Sequence, residues 1–191
     1  MNTLLLVGGD LCVRTAAILA SGDWKCIGLR RRRVAPTPHD QITWHEGDLR
    51  SADSLSFLSR GEFCRITHIL YAPSPDNRMA EHGLQSGRVA APDGPGHWAN
   101  RIHIDDAARA CAHLLNLPHP QSLYIGTDDQ PMPTAKLYDE LAGLIDGPLP
   151  KREWRAPSGK RLSNARLRAS GWAPLWPDAL EGYKACLGLE E

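Results

Sequence analysis

Apolar residues follow two rhythms along this chain, with a stretch between them that follows neither. Thr3-Leu4-Leu5-Leu6-Val7 is a continuous run ended by Gly8-Gly9, the pattern of a parallel strand buried on both faces. An Ala- and Leu-rich helix is predicted from Leu11 to Ala20, closed by Gly22. Further strands are predicted at Lys25 to Leu29, Gln41 to His45 and Thr67 to Ala72. Ser51 is placed to cap a helix before the fourth strand, with Leu55 and Leu58 facing inward. Such alternation implies right-handed crossovers and an α/β fold with a doubly wound parallel sheet. The expected order is 3-2-1-4, which leaves the strand at 67–72 on an edge.

Residues 73–99 lose all periodicity. Pro73, Pro75, Gly83, Gly87, Pro92, Gly94, Pro95 and Gly96 punctuate a polar stretch in which no strand is predicted. Helical spacing resumes after Arg101: Asp105 or Asp106 starts a helix with Ile104, Ala108, Cys111 and Leu115 on one face, ended by Pro118. A short strand is predicted from Gln121 to Gly126. Thr134 is placed to cap a helix whose apolar face is Leu137, Leu141, Leu144 and Ile145, and Gly147-Pro148 stops it. A last helix is expected from Ser163 to Ala169, and Trp154, Trp172 and Trp176 are expected to cover the core of a small C-terminal lobe.

Composition narrows the class. At 191 residues and 42% apolar content, the chain can bury one ordinary core and a small second lobe. Lys plus Arg equals Asp plus Glu at 22 each, so no overall field favours nucleic acid or an anionic membrane. The five cysteines (12, 26, 64, 111 and 186) are scattered without a C-x-x-C pair, as expected of reduced thiols in a cytoplasmic protein. The first apolar run falls far short of the roughly 20 residues of a membrane span, and no signal peptide is expected before it. His113 and His119 lack acidic or cysteine partners at ligand spacing, so no metal site is expected.

The candidate chemistry begins at the first strand-to-helix turn. Gly8-Gly9-Asp10-Leu11 lets a pyrophosphate approach the backbone, and the helix N-terminus supplies N–H donors and a partial positive charge. The string is one residue shorter than G-x-G-x-x-G, and Cys12 takes the place of its last glycine. By itself it also fits a tight turn in any α/β protein. About 20 residues on, where an acid would suit NAD, the chain carries Arg30-Arg31-Arg32-Arg33, with Arg14 on the first helix. Guanidinium forks match the 2′-phosphate of NADP, so NADP is the expected cofactor and NAD the second choice. A solvated arginine loop, or a small nucleic-acid patch, is the other reading of these residues.

Together these strings resemble the NAD-dependent epimerase/dehydratase family, the extended branch of the short-chain dehydrogenase/reductases. The resemblance is carried by Leu-Val-Gly-Gly-Asp near the N-terminus, by Gly28-Leu29-Arg30-Arg31, by Gly47-Asp48-Leu49 and by Tyr71-Ala72-Pro73. Asn100-Arg101-Ile102-His103-Ile104-Asp105-Asp106, Ser163-Asn164-Ala165-Arg166-Leu167 and Gly171-Trp172 extend it toward the C-terminus. It implies a Rossmann-like sheet with Asp48 and Leu49 beside the adenine, and with Tyr71, Ala72 and Pro73 near the ribose and nicotinamide. It also implies a small-molecule substrate near Asn100, Arg101 and His103. The expected organisation is a dinucleotide-binding half at 1–78, an irregular junction at 79–99 and a substrate-side part at 100–191. His103 with Asp105 and Asp106 is expected to pin a strand-to-helix junction, with the aspartates capping.

The departures from the family are equally informative. Family members carry a Tyr-x-x-x-Lys pair whose tyrosine acts as acid/base. None of Tyr71, Tyr124, Tyr138 and Tyr183 has a lysine four residues on. The expectation is an incomplete Rossmann-like sheet with its central catalytic segment missing between Arg78 and Leu84, no assigned catalytic residue, and weak or absent hydride transfer. A non-catalytic dinucleotide-binding or protein-interaction module is the alternative. An apolar edge at 67–72 is an aggregation template, so pairing with another copy, a homo-oligomer, is one expected way to cover it.

Overall fold

A computed structural model describes residues 2–31, 41–72, 90–94 and 96–189. The expected junction at 78–84, Pro73, Arg32 and Arg33 lie outside the described residues. The chain divides into two compact units, Met1–Pro75 with Ala107–Pro120, and Asp76–Asp106 with Gln121–Glu191.

The first unit is the doubly wound sheet. Strands β1 (Asn2–Gly8), β2 (Trp24–Arg30), β3 (Ile42–Glu46) and β4 (His68–Ala72) lie in the order β3-β2-β1-β4. All three pairings are parallel. Period-2 alternation splits β1 and β2 between two cores. Leu4, Leu6 and Cys26 pack with Cys12, Ala16 and Leu19 of helix α1 (Asp10–Leu19) and with Ala112. Leu5, Val7, Ile27 and Leu29 face the other way, onto Leu55, Phe57, Leu58, Phe63 and Ile66. Both faces of the central strands are therefore covered, which is why their sequence is apolar without a break. Among the described residues β4 pairs only with β1, and Ile69 and Tyr71 on it are 63% and 62% exposed.

The expected helix after Ser51 is not a single α-helix. Leu55 and Leu58 do pack under the sheet, but from two 3-10 segments, Asp53–Ser59 and Gly61–Arg65, parted by an extended Arg60. The cause is local: the Ser54 and Ser59 hydroxyls each donate to the carbonyl three residues back, at 2.8 Å, and such bonds compete with the α-helical ladder.

The second unit departs further from expectation. Strands stand where none was predicted: β5 (Ala90–Asp93) and β6 (Trp98–Ala99). Each needs a distant partner, β5 pairing in parallel with β8 (Lys151–Trp154) and β6 antiparallel with β7 (Met132–Pro133). Conversely, residues 121–126 form no strand. There the Gln121 N–H donates to the Tyr124 hydroxyl at 3.0 Å, and the Leu123 carbonyl accepts from Arg166 at 3.1 Å, so side chains take the place of a ladder.

Helix α2 (Ile104–Leu115) buries Ala108 as expected, but Asp106, Ala110 and Ala112 rather than Cys111 complete its buried set. Thr134 is the first residue of helix α3 (Thr134–Leu144) and not its cap. Its N–H is taken by the His97 carbonyl at 2.9 Å. Leu137 and Leu141 of α3 pack on Ala99, Leu180 and Tyr183. The predicted helix at 163–169 is shorter, α4 (Ala165–Ala169), and a further helix, α5 (Ala179–Leu187), follows it. Trp172 is buried as expected, whereas Trp154, on the fully exposed β8, is 75% exposed and covers no core.

Candidate functional site

The carboxyl ends of parallel strands are where loops leave the sheet, and the crevice there is where open α/β folds hold ligands. Here that edge carries a groove of about 780 Å³, lined by Val7, Gly8, Gly9, Asp10, Val13, Leu29, Arg30, Arg31, Gly47, Asp48, Leu49, Arg50 and Tyr71. Eight of the residues singled out from sequence thus meet in one place: Gly8, Gly9, Asp10, Arg30, Arg31, Asp48, Leu49 and Tyr71. Leu11 and Ala72 are not part of the lining, and Ala72 packs against the α1-side core. Pro73 is outside the described residues.

Steric demand fixes Gly8. A Cβ there would stand 2.2 Å from the Ala72 carbonyl oxygen and 2.9 Å from the Cys12 sulfur, distances no side chain can occupy. The Cys12 sulfur itself lies buried in the core, 4.0 Å from the Leu70 carbonyl. Burial, above all other influences, pushes its thiol up to about 11, so it stays protonated and inert at neutral pH. Helix α1 starts at Asp10 with no side-chain cap. The Cys12 N–H donates to the Gly9 carbonyl at 3.1 Å, and with no side-chain cap on the turn before it the helix start suits an anion. A Cβ at Gly9 would meet nothing within 4 Å, so the approach to that turn is open.

Charge in the groove is arranged in pairs. Asp10 is bridged by Arg14 one helical turn on, at 2.8 Å. Arg50 grips Asp48 with its backbone N–H at 2.9 Å and its guanidinium at 3.2 and 2.9 Å. Those Arg50 hydrogen bonds hold the Asp48 carboxyl down to about 2, so it is ionised at any working pH. Ser54 closes the same turn, its hydroxyl accepting from the Asp48 N–H at 2.9 Å. Arg30 and Arg31 add two more guanidiniums, and the lining holds three arginines against two aspartates. Sequence reading missed Arg50, although its place two residues after Asp48 is the spacing of an Asx-type turn.

The edge order, the parallel register and the glycine turn under the groove decide the architecture. The chain has the fold of the NAD-dependent epimerase/dehydratase family. A candidate NAD-dependent epimerase/dehydratase from Methylobacillus flagellatus superposes with a TM-score of 0.66 at 23% identity, over 98% of this chain and 98% of that one. The dTDP-glucose 4,6-dehydratase of Bacillus anthracis str. Ames in complex with NAD gives 0.62 at 8% identity, covering 100% and 98%. The Thermus thermophilus UDP-glucose 4-epimerase in complex with NAD gives 0.61 at 11%, covering 95% and 99%. No protein-family model matches the sequence, and no curated protein matches it.

In this epimerase/dehydratase fold the three residues expected on the substrate side all lie in the second unit. Asn100 is a staple, its amide donating to the Lys160 carbonyl at 3.0 Å and its oxygen accepting from the Leu162 N–H at 2.8 Å. Arg101 and His103 line a smaller cavity of about 220 Å³ with Asp128, Trp176, Tyr183 and Cys186. His103 accepts from the Asp105 N–H at 3.3 Å, and its ring lies 5.1 Å from that of Trp176. Asp106 is the third residue of α2. Fully buried, its carboxylate accepts the N–H groups of Leu175 and Trp176 at 2.7 and 2.9 Å and so holds the segment before α5. Among the described residues no cluster of histidine, cysteine or acid is placed to hold a metal, and no helix is long and apolar enough to cross a membrane.

Proposed function

We propose that this protein binds an NADP(H)-type dinucleotide in the groove at the sheet edge and is an epimerase/reductase-like relative of the short-chain dehydrogenases. The observation that carries the reading is the groove itself, which joins the glycine turn, the uncapped start of α1, Arg30, Arg31, Asp48 and Tyr71. The α1 N-terminus holds the pyrophosphate, Arg30 and Arg31 hold the 2′-phosphate, and Asp48 and Leu49 flank the adenine. Tyr71 lies toward the ribose and nicotinamide. Bound there, the nicotinamide would supply hydride transfer. NAD remains a weaker ligand of the same groove, since none of its ring contacts requires the 2′-phosphate. The cofactor half is 1–78 and the substrate-side part 100–191, with Arg101 and His103 facing a small-molecule substrate. The protein is cytoplasmic, in keeping with its free Cys12, Cys26, Cys111 and Cys186.

Turnover is expected to be weak. No tyrosine of this chain has a lysine four residues on, the spacing at which a lysine lowers a tyrosine pKa and helps it move a proton at a substrate oxygen. That observation also favours a second reading, a scaffold that binds the dinucleotide without catalysis. Exposed Ile69 and Tyr71 on the β4 edge favour self-association there as its quaternary form. Calorimetric titration separates the cofactor claim from its rivals: NADPH should bind more tightly than NADH, and Arg30→Ala with Arg31→Ala should remove the difference. Equal affinities in the parent protein would refute the preference. A screen of carbonyl substrates with NADPH then tells a slow enzyme from a binding module.

A further inference from the structure

We propose that Trp44 is a positioning residue for cofactor selectivity, its indole face presenting the Arg30 guanidinium flat at the groove for the 2′-phosphate of an adenosine ribose. The inference rests on the dinucleotide reading above and adds to it a residue that lines no part of the groove.

The arrangement follows from the β2–β3 register. Gly28 pairs with Trp44 and Arg30 with Glu46, and period-2 alternation puts residues 28 and 30 on one face of the sheet. Trp44 lies across that face. A Cβ at Gly28 would stand 2.3 Å from the indole Cε3 and 2.4 Å from Cζ3, so glycine at 28 is what lets the ring lie down on the strand. The next residue on this face is Arg30, and its Cζ lies 3.5 Å from the Trp44 ring centroid. A guanidinium on an indole face is attracted by the ring's quadrupole. Stacking uses its flat face and leaves its in-plane N–H groups available, and these are the groups that fork onto two oxygens of a phosphate.

Order is the second part of the argument. A free arginine side chain loses much rotamer entropy when a ligand immobilises it. On Trp44 that ordering is already done before a ligand arrives. The ring is itself held from beneath, packed against the α1-side core, so it cannot swing away with the arginine. The Asp48 carboxylate in the groove is meanwhile gripped by Arg50, which lessens its repulsion of a phosphate near Arg30.

The test uses the full chain and two adenosine ligands without nicotinamide, adenosine 2′,5′-bisphosphate and 5′-ADP, titrated calorimetrically. The parent should prefer the 2′-phosphate ligand. Trp44→Leu should weaken that ligand about tenfold, the size of a well-formed cation–π contact, and leave 5′-ADP within about twofold. Trp44→Phe keeps a smaller ring on the strand, should fold if Trp44→Leu does not, and should give an intermediate loss. In an Arg30→Ala background the Trp44 change should have no further effect, because it acts only through that guanidinium. Equal loss for both ligands, or a Trp44 effect that persists without Arg30, would overturn the inference and leave the dinucleotide reading intact. A parent that binds neither ligand overturns the dinucleotide reading, and one that binds both equally overturns the NADP preference; either removes the basis of the inference.

Discussion

The four-stranded unit and the C-terminal unit are held by different kinds of interaction. In the first, alternate residues of β1 and β2 fill two apolar layers, and the strands pair along most of their length. In the second, the ladders are four and two residues long, and buried polar side chains tie distant segments together. Asn164 donates to the Thr127 and Asp128 carbonyls and to the Asp129 carboxylate, at 2.8, 3.3 and 2.8 Å. Asp106 and Asn100 do the same work across even longer stretches of chain. Apolar layers tolerate many sequences of the right volume, whereas a buried polar group is costly as soon as its partner is lost. The groove sits on the apolar unit, where the backbone positions are fixed by steric fit.

The sharpest way to break this contrast is at Gly8. A Val side chain there must displace the Ala72 carbonyl, 2.2 Å from its Cβ, and Gly8→Val is expected to cost more than about 4 kcal/mol or to prevent folding. A soluble variant with an unchanged melting temperature would show that the β1–β4 approach is not the fixed feature described here. Next comes Leu6→Ala, which empties a fully buried site in the α1-side layer and should cost about 2–5 kcal/mol in denaturant unfolding.

Asn164→Ala removes one side chain from the polar network of the second unit. It should cost about 1–3 kcal/mol, and peptide-level hydrogen exchange should quicken around 127–129 while β1 and β2 stay protected. A loss of protection in the sheet instead would merge the two regimes. Asp128 offers a pH test in the same network. It is 3% exposed, and burial first, then the Asp178 charge, raises its carboxyl to about 6. The folded protein therefore binds its proton more tightly than the unfolded chain does, and stability falls as pH rises from about 4 through about 6. Asp128→Asn, which keeps an acceptor oxygen, should stabilise the protein by roughly 1–3 kcal/mol at pH 7.5 and have little effect near pH 4. The smallest effect is expected at Trp154, whose exposed ring should be replaceable by Ser within about 0.5 kcal/mol.

The same contrast explains what could be read from the chain. Thr3 to Val7 and Lys25 to Leu29 announce buried parallel strands because a two-sided core demands unbroken apolar sequence. The clustering of Gly8, Arg30, Asp48 and Tyr71 follows once those strands are ordered. Strands β5 and β8 escaped notice because each is short and pairs with a segment far away along the chain, and no local pattern signals that. Residues 121–126 look like a strand by composition, yet the Tyr124 hydroxyl takes the Gln121 N–H and Arg166 the Leu123 carbonyl. Helix α5 carried a signal that went unread: Asp178 caps it, accepting from the Leu180 N–H at 2.9 Å, and Gly188 ends it in the left-handed conformation at φ 68°. Trp44 gave no sign at all, since its meaning depends on the ring lying over Gly28 and under Arg30.

Hydrogen exchange of the full chain with and without saturating NADPH tests the placement of the site most directly. Protection should appear in the backbone of 9–12, at the uncapped start of α1, and in 47–50, at the Asp48–Arg50 turn, with the second unit changed far less. NADPH binding that protects only residues of the second unit, or that leaves 9–12 and 47–50 exchanging as before, would contradict the assignment of the groove.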